Sequence, residues 1–484
     1  MPQSLEFLPH LLASLGVVLI SVATALHALL SKRHSRSAAG WIAMCVFFPL
    51  VGAALYWLFG QNRIYTRAQE LRSKWPKAGH VLVERTSPEI LATVTKDPDQ
   101  LETLLAIART GDRVAHRRLV GGNRITPLHD GEEAYPAMLA AIANAREFVY
   151  LTTYILDGKR CLAEFGAALG AAVERGVDVR FLIDGVGELY GWPRAGRVLA
   201  ERGVQVARFL RPSLTLRGLH INLRNHRKIM VVDGHVGFTG GMNLRDGHYT
   251  QAPHNRHPVR DMHFAVEGPI VTELEGAFLD DWGFAEGGGV ERAPSPPGPA
   301  RGIAVCRALP AGPNEDFEVL SWSLLAAIAA SRREVLIVTP YFIPSREMTG
   351  ALATAALSGV SVRILVPEHS NLAFVDWASR AMLWELLERG VRIALQPKPF
   401  PHTKYLAVDR IFASIGSANL DPRSLRLNFE FNLEVHDRDL PQKLANDFER
   451  DWARSREISA AEVHALPLLI RIRNNLARLL EPYL

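Results

Sequence analysis

Residues 226–244 read HRKIMVVDGHVGFTGGMNL, and residues 402–420 read HTKYLAVDRIFASIGSANL. Each stretch opens His-x-Lys, closes on Asp after four residues, and then places Gly and Asn at the same distances: His226, Lys228, Asp233, Gly240 and Asn243 in one, His402, Lys404, Asp409, Gly416 and Asn419 in the other. One such motif is weak; two with the same internal spacing mark a duplication. Residues two apart in a strand face the same side, so His226 projects with Lys228 and His402 with Lys404. The apolar runs IMVV and YLAV carry each strand into a core, and Asp233 and Asp409 stand at its end before a turn. The later glycines suit a tight turn or a close backbone approach.

Outward from these motifs the repetition continues in the same order. AREFVYLTTY (145–154) matches RREVLIVTPY (332–341), GVDVRFLI (176–183) matches GVSVRILV (359–366), and LAERGVQV (199–206) matches LLERGVRI (386–393). Helical runs such as CLAEFGAALGAAVERG alternate with buried strands, the pattern of an α/β fold. Repetition at this period means two copies of one domain rather than a solenoid. Between the copies, GGGVERAPSPPGPARG is too rich in Gly and Pro for helix or central strand. The expected organisation is an N-terminal hydrophobic helical hairpin (1–62), a connecting region (63–118), a first α/β sandwich domain (119–286), a linker (287–302), a second such domain (303–462) and a basic amphipathic tail (463–484).

If the halves pair about a pseudo-dyad, two His and two Lys share one pocket. A neutral imidazole can attack phosphorus and become a phosphohistidine. The opposite imidazolium can protonate the leaving alkoxide and then serve as base. Two ammonium groups and the amides of Asn243 and Asn419 can hold developing oxyanions. This chemistry needs no metal or other cofactor, and no metal-ligand spacing is visible. Cys45, Cys161 and Cys306 are widely separated and read as small buried hydrophobes.

The paired HxKx4D motifs resemble those of the phospholipase D superfamily. That resemblance implies two tandem α/β sandwich domains with one active site at their interface and a covalent phosphatidyl-histidine. It implies His226 as nucleophile and His402 as acid/base, though the halves are alike enough that the sequence is compatible with either order. It also implies a downstream acid in each half that orients its His, at Asp261 in RDMHFAVEGP and Glu430 in LNFEFNLEV. Asp233 and Asp409, members of the candidate catalytic set by motif, are expected to play a supporting, structural part. Two N-terminal hydrophobic segments, RNHRK-x4-DG, TGGMNL, HTK-x4-D, GSANLDPRSL and LNFE together look like bacterial cardiolipin synthases along nearly the whole chain. The departure is Gly241, where Ser is usual; Ser417 keeps the hydroxyl in the second half.

The superfamily also holds lipid-hydrolysing enzymes and nucleases, and fold alone does not choose among them. Residues 8–30 and 38–60 contain no Asp, Glu, Lys or Arg, and each is about the 20 residues that span a bilayer as a helix. The first residues include Glu6 and no basic cluster, unlike a cleaved leader. A two-span or re-entrant hairpin is expected, Pro49 being the residue that could bend the second segment. Basic residues stand both between the runs (Lys32, Arg33, Arg36) and after them (Arg63, Arg67, Arg72, Lys74, Lys77), so charge does not decide sidedness. Arg211, Arg217, Arg224 and Arg227 near the first motif could attract anionic headgroups. The tail LPLLIRIRNNLARLLEPYL could lie at the interface as a basic amphipathic helix or pack on the domain. The net charge of +5 suits anionic partners or simply a solvated surface. The expected partners are the bilayer, phosphatidylglycerol and other anionic phospholipids rather than nucleic acid, at the inner membrane of a bacterial cell.

Overall fold

The computed structural model describes residues 3–32, 35–60, 86–115, 117–210, 223–287, 292–312 and 318–481. The chain divides into two compact units, Met1–Glu70 and Leu71–Leu484. Arg63, Arg67, Arg72, Lys74, Lys77, Arg33, Arg211 and Arg217, singled out above for charge, lie outside the described residues.

In the first unit the helix Gln3–Ser31 turns back through Ser35–Phe47. Among the described residues one stretch of helix, Leu12–Ser31, is long and apolar enough to cross a bilayer. The second hydrophobic run is broken: a helix of 13 residues ends at Phe47, and Pro49–Leu55 starts a new one. Proline at the first helical position costs no hydrogen bond there but cannot continue the helix before it. Gly52 permits the bend, since a Cβ there would lie 2.1 Å from the Met44 carbonyl oxygen. Polar ties cross the hairpin at Ser21 Oγ to the Pro49 carbonyl (2.9 Å) and His27 Nδ1 to Tyr56 Oη (2.7 Å).

The second unit is built on one 15-stranded sheet. Numbering only its strands, the first half contributes β1 (Val120–His129), β2 (Phe148–Thr153), β3 (Asp178–Asp184), β4 (Gln205–Phe209), β5 (Ile229–Val232), β6 (Val236–Gly240) and β7 (Met262–Glu267). The second contributes β8 (Ala304–Ala311), β9 (Glu334–Val338), β10 (Ser361–Pro367), β11 (Arg392–Gln396), β12 (Tyr405–Val408), β13 (Phe412–Gly416) and β14 (Glu430–His436), with β15 (Arg456–Ile458) added at its edge. The order is β15-β11-β10-β9-β12-β13-β14-β8-β1-β7-β6-β5-β2-β3-β4. Outward from the antiparallel pair β8·β1, both halves read alike, which is the pseudo-dyad. The expected tandem domains are therefore joined edge to edge through their first strands.

Strands β5 and β12 are buried at every position, which is why IMVV and YLAV are continuous apolar runs rather than alternating ones. In β2, Val149 and Leu151 meet the helices Asp130–Asn144 and Lys159–Glu174, while Tyr150 turns the other way and stacks on Phe278 of Val271–Glu286, 5.0 Å between centroids. The helix Pro98–Val114, inside the segment expected to be a connection, packs into the second half's core. It is clamped there by fully buried Arg307, 2.5 Å from Asp112 and 3.3 Å from Glu434. Residues 292–302 carry neither helix nor strand. The three cysteines are buried.

Three of the four repeated blocks align as the sequence pairs them. The first slips by one: Val149 sits opposite Val232 and Val335 opposite Val408, so residues 146–153 match 332–339 rather than 333–340. In a strand such a slip exchanges the two faces, and burial against the helices, not letter identity, decides it.

Candidate active site

The six motif residues separate into two groups. Asp233 and Asp409 stand at the far ends of β5 and β12, five residues beyond the Lys and seven beyond the His, roughly 17 and 23 Å of extended chain. Both adopt left-handed backbone, φ 52° and 50°. The Asp233 carboxylate accepts the N–H groups of Arg146, Glu147 and Phe148 at 2.8–2.9 Å, and Asp409 those of Arg332, Arg333 and Glu334 at 2.8 Å. They staple the start of β2 and β9. Asp233→Ala or Asp409→Ala is expected to cost about 2–4 kcal/mol of stability, since each orphans three backbone donors. Turnover of protein kept folded at low temperature should change little. Thermal unfolding alongside activity checks this; full stability with lost turnover would put these carboxylates in the chemistry instead.

His226 and His402 stand where the chain enters β5 and β12, and each is held by the other half. The Phe429 carbonyl accepts the His226 N–H at 2.9 Å, and the Arg260 carbonyl that of His402 at 2.7 Å. These contacts extend a bridge between Asn225 and Phe429 and a short parallel pair of Phe400–Pro401 with Val259–Arg260. The next residue on each partner strand is an acid. His226 Nδ1 lies 3.1 Å from Glu430, and His402 Nδ1 lies 2.7 Å from Asp261. The expectation that each acid orients the His of its own half is thus corrected: the pairing is crossed, because entry strands pair across the pseudo-dyad.

Each lysine reaches back to its own histidine. Lys228 Nζ donates to the His226 carbonyl at 2.7 Å, and Lys404 Nζ to the His402 carbonyl. Lys404 Nζ is also 2.9 Å from His402 Nδ1. A ring nitrogen cannot donate and accept together; donation to Asp261 is the state that leaves a lone pair on Nε2. Burial pushes Lys228 down to about 7, helped by the Lys404 charge and opposed by Glu430. Burial likewise brings Lys404 down to about 8 against the pull of Asp261 and Glu430. Burial and then Lys404 bring His402 down to about 3, and burial lowers His226 despite Glu430. Burial raises both acids, but Lys404 with His402 holds Asp261 low, and His226 with Lys228 holds Glu430 low. Only the imidazoles reach solvent, with side chains 14% and 13% exposed.

Around this core the halves differ. Ser417 Oγ bonds Glu430 at 2.5 Å, and Asn428 donates to Glu430 at 3.1 Å. At the matching Gly241 a Cβ would lie 2.6 Å from Asp261 Oδ1. The contact a serine hydroxyl would make there comes instead from the Met262 N–H, 2.8 Å from Asp261 Oδ1. Gly240 and Gly416 end β6 and β13 at φ 149° and 154°, conformations that exclude a side chain. Asn243 turns Oδ1 toward the Ile155 N–H at 3.3 Å, and Asn419 Nδ2 donates to Ser424 Oγ at 3.1 Å.

One expected headgroup contact is corrected. Arg227 is buried and donates to the Glu430 and Ala311 carbonyls and to Asp281, so it braces the Glu430 strand. Arg224 is also buried, 3.8 Å from Asp184. Sequence reasoning missed Tyr154 and Tyr341, whose rings stand edge-on to His226 and His402 at 5.2 and 6.2 Å. The available signal was that both copies of the first repeated block end in Tyr.

Residues 138–282 and 324–452 match a family model described as cardiolipin synthase, PLD-like domain, and residues 19–61 one described as phospholipase D-nuclease N-terminal. The cardiolipin synthase of Geobacillus kaustophilus is 32% identical over 482 residues, 98% of this chain and 93% of that one. The major cardiolipin synthase of Bacillus subtilis is 30% identical over 481 residues, 96% and 98% of the two chains. Cardiolipin synthase A of Pseudomonas putida is 32% identical over 474 residues, 97% of each. Among solved structures, a phosphatidylserine synthase from Haemophilus influenzae superposes with TM-score 0.61 at 14% identity, covering 78% of this chain and all of that one, a likeness of fold. The chain belongs to the cardiolipin synthase family of the phospholipase D superfamily.

Proposed function

We propose that this enzyme joins two phosphatidylglycerol molecules into cardiolipin and glycerol through a phosphatidyl-histidine. The observation that carries the reading is the crossed pair of His–carboxylate contacts, which readies two imidazoles in one pocket between two lysines. His226 Nε2 attacks the phosphorus of the first lipid, and the P–O bond to glycerol breaks. Protonated His402 gives its proton to the departing alkoxide. The second lipid's headgroup hydroxyl then passes its proton to His402 and attacks phosphorus, breaking the P–N bond. Cardiolipin leaves, with His226 neutral and His402 charged again.

In the free enzyme burial, and then the Lys404 charge, hold His402 neutral. A bound phosphodiester anion offsets that charge and lets the imidazolium form. Asn243 and Asn419 supply amides near the phosphate, and Ser417 fixes Glu430. Residues 119–286 and 303–462 act as the two catalytic halves, and the N-terminal hairpin, spanning or re-entrant, holds them at the inner membrane of a bacterial cell. The test is the full chain reconstituted with phosphatidylglycerol, its products read by mass spectrometry. Cardiolipin with glycerol is expected; phosphatidic acid without cardiolipin would make the enzyme a hydrolase.

The lysines set a pH dependence. kcat/KM reports the free enzyme, so it is expected to fall as pH rises through about 7 to 8, where Lys228 and Lys404 lose their charges. kcat reports the lipid-bound state, in which the phosphate anion favours both ammoniums, so its alkaline limb should lie at higher pH. Coincident limbs in the two profiles would remove the lysines from phosphate binding.

A further inference from the structure

The helix Leu468–Arg478 is packed the wrong way round for a helix bathed in water. Its inward face is Asn474 and Ala477, which are buried. Leu468, Leu469, Ile472 and Leu476, with Leu479 and Leu480 of the following turn, are exposed, Leu469 to 79%. At 3.6 residues per turn these six fall within an arc of roughly 120°. A soluble amphipathic helix turns such an arc to the core. Arg471 and Arg478 border it on one side; on the other, Arg473 folds back over the Trp377 ring, 4.6 Å to its centroid.

The surface continues toward the catalytic opening. Ala477 packs in one cluster with Ile343, Val375 and Ala378, against which Tyr341 also rests. The loop after β10 and the first turn of the helix Ala373–Arg380 expose Leu372 and Phe374, and the loop is tied to the site by Tyr341 Oη, which donates to Asn371 at 2.8 Å. The matching loop after β3 exposes Leu189, Tyr190 and Trp192, the last to 86%. Tyr190 lies 6.2 Å from Tyr154, the ring beside His226. Both loops follow the carboxyl ends of parallel strands, the edge at which His226 and His402 also stand, because β5 and β12 run antiparallel to β2 and β9. Apolar loops thus flank the opening on both sides, and the inverted helix extends one of them.

We propose that this rim is a docking surface for a bilayer carrying anionic phospholipid, seating the catalytic opening on the lipid surface independently of the N-terminal helix. Leucine and isoleucine enter the acyl boundary while the bordering arginines meet anionic headgroups. The inference deepens the phosphatidyl-transfer reading and rests on it for the benefit of such seating: lipid enters the pocket without crossing water.

The test uses the full chain reconstituted in phosphatidylglycerol–phosphatidylcholine vesicles. Nitroxides at Leu469→Cys, Leu476→Cys and Trp192→Cys are expected to collide more with oxygen than with a water-soluble nickel chelate. The triple variant Leu469→Asp/Ile472→Asp/Leu476→Asp is expected to lose roughly tenfold in turnover of vesicle lipid. It should process a monomeric, short-chain phosphatidylglycerol at the parent rate, which reports an intact fold. If that rate also falls, the label positions in the otherwise unaltered chain decide. Labels as open to nickel as water, or wild-type vesicle turnover in the folded variant, overturn the proposal. So does label–label broadening that persists in dilute detergent, which would assign the face to a second copy of the chain. Lipid-buried labels on a parent enzyme that makes no cardiolipin would leave the docking surface standing and remove the transferase reading.

Discussion

His226→Ala and His402→Ala are each expected to lower phosphatidyl transfer by about 10^4-fold or more while the protein stays folded, because each removes a group that both half-reactions need. The two losses differ in kind, and the difference assigns the roles. A lipid analogue with p-nitrophenol as its leaving group needs no general acid for the first step. With His402→Ala, such a substrate should release one equivalent of p-nitrophenol and stall, because nothing deprotonates the second lipid. Phosphatidyl label should then remain on the protein, at His226. With His226→Ala there should be neither burst nor label. The order is the one the family resemblance implies; Lys404, lying against His402 Nδ1, opposes the charge that the acid must carry until the phosphodiester binds, while Lys228 donates to the His226 carbonyl. The opposite pattern, label at His402 in a His226→Ala protein, would exchange the two roles and keep the chemistry.

What the sequence disclosed and what it withheld follow from the kinds of force involved. The duplicated motifs, the strand direction of His226 and Lys228, and the buried runs IMVV and YLAV are local, periodic features, and β5 and β12 carry them as expected. The crossed pairing is not local. Glu430 reaches His226 because Asn225 bridges to Phe429 across the pseudo-dyad, a contact between residues about 200 positions apart for which spacing holds no signal. Arg227 misled for a related reason. A basic residue beside a catalytic motif reads as a headgroup contact until tertiary structure shows two carbonyls and Asp281 waiting for it. The slip in the first repeated block has another cause: its letters match in two registers, and only the burial of Val149 and Val335 chooses between them.

The crossed carboxylates yield the second large effect. Glu430→Gln is expected to lower turnover by about 10^3 to 10^4-fold, the scale seen when a His loses the acid that fixes its tautomer and steadies its charge. The loss should appear in the first half-reaction, because Glu430 serves the nucleophile although it belongs to the other half of the chain. Asp261→Asn should resemble His402 loss instead: with the p-nitrophenyl lipid the burst survives and resolution of the phosphatidyl-enzyme slows. Rapid-quench measurement of the burst separates the two variants even where their steady-state rates coincide. The amides keep nearly the shape of the acids, so the sheet should remain intact, with Ser417 still donating to the oxygen of residue 430 and Asn428 turning its amide to accept from the new N–H. What changes is charge: a neutral amide at position 430 no longer offsets Lys228 or the positive charge that forms on His226 after attack. Were Glu430→Gln to spare the burst and slow only its resolution, each acid would be acting on the histidine of its own half. The interlocked site, in which neither half can prepare its imidazole alone, would then be wrong.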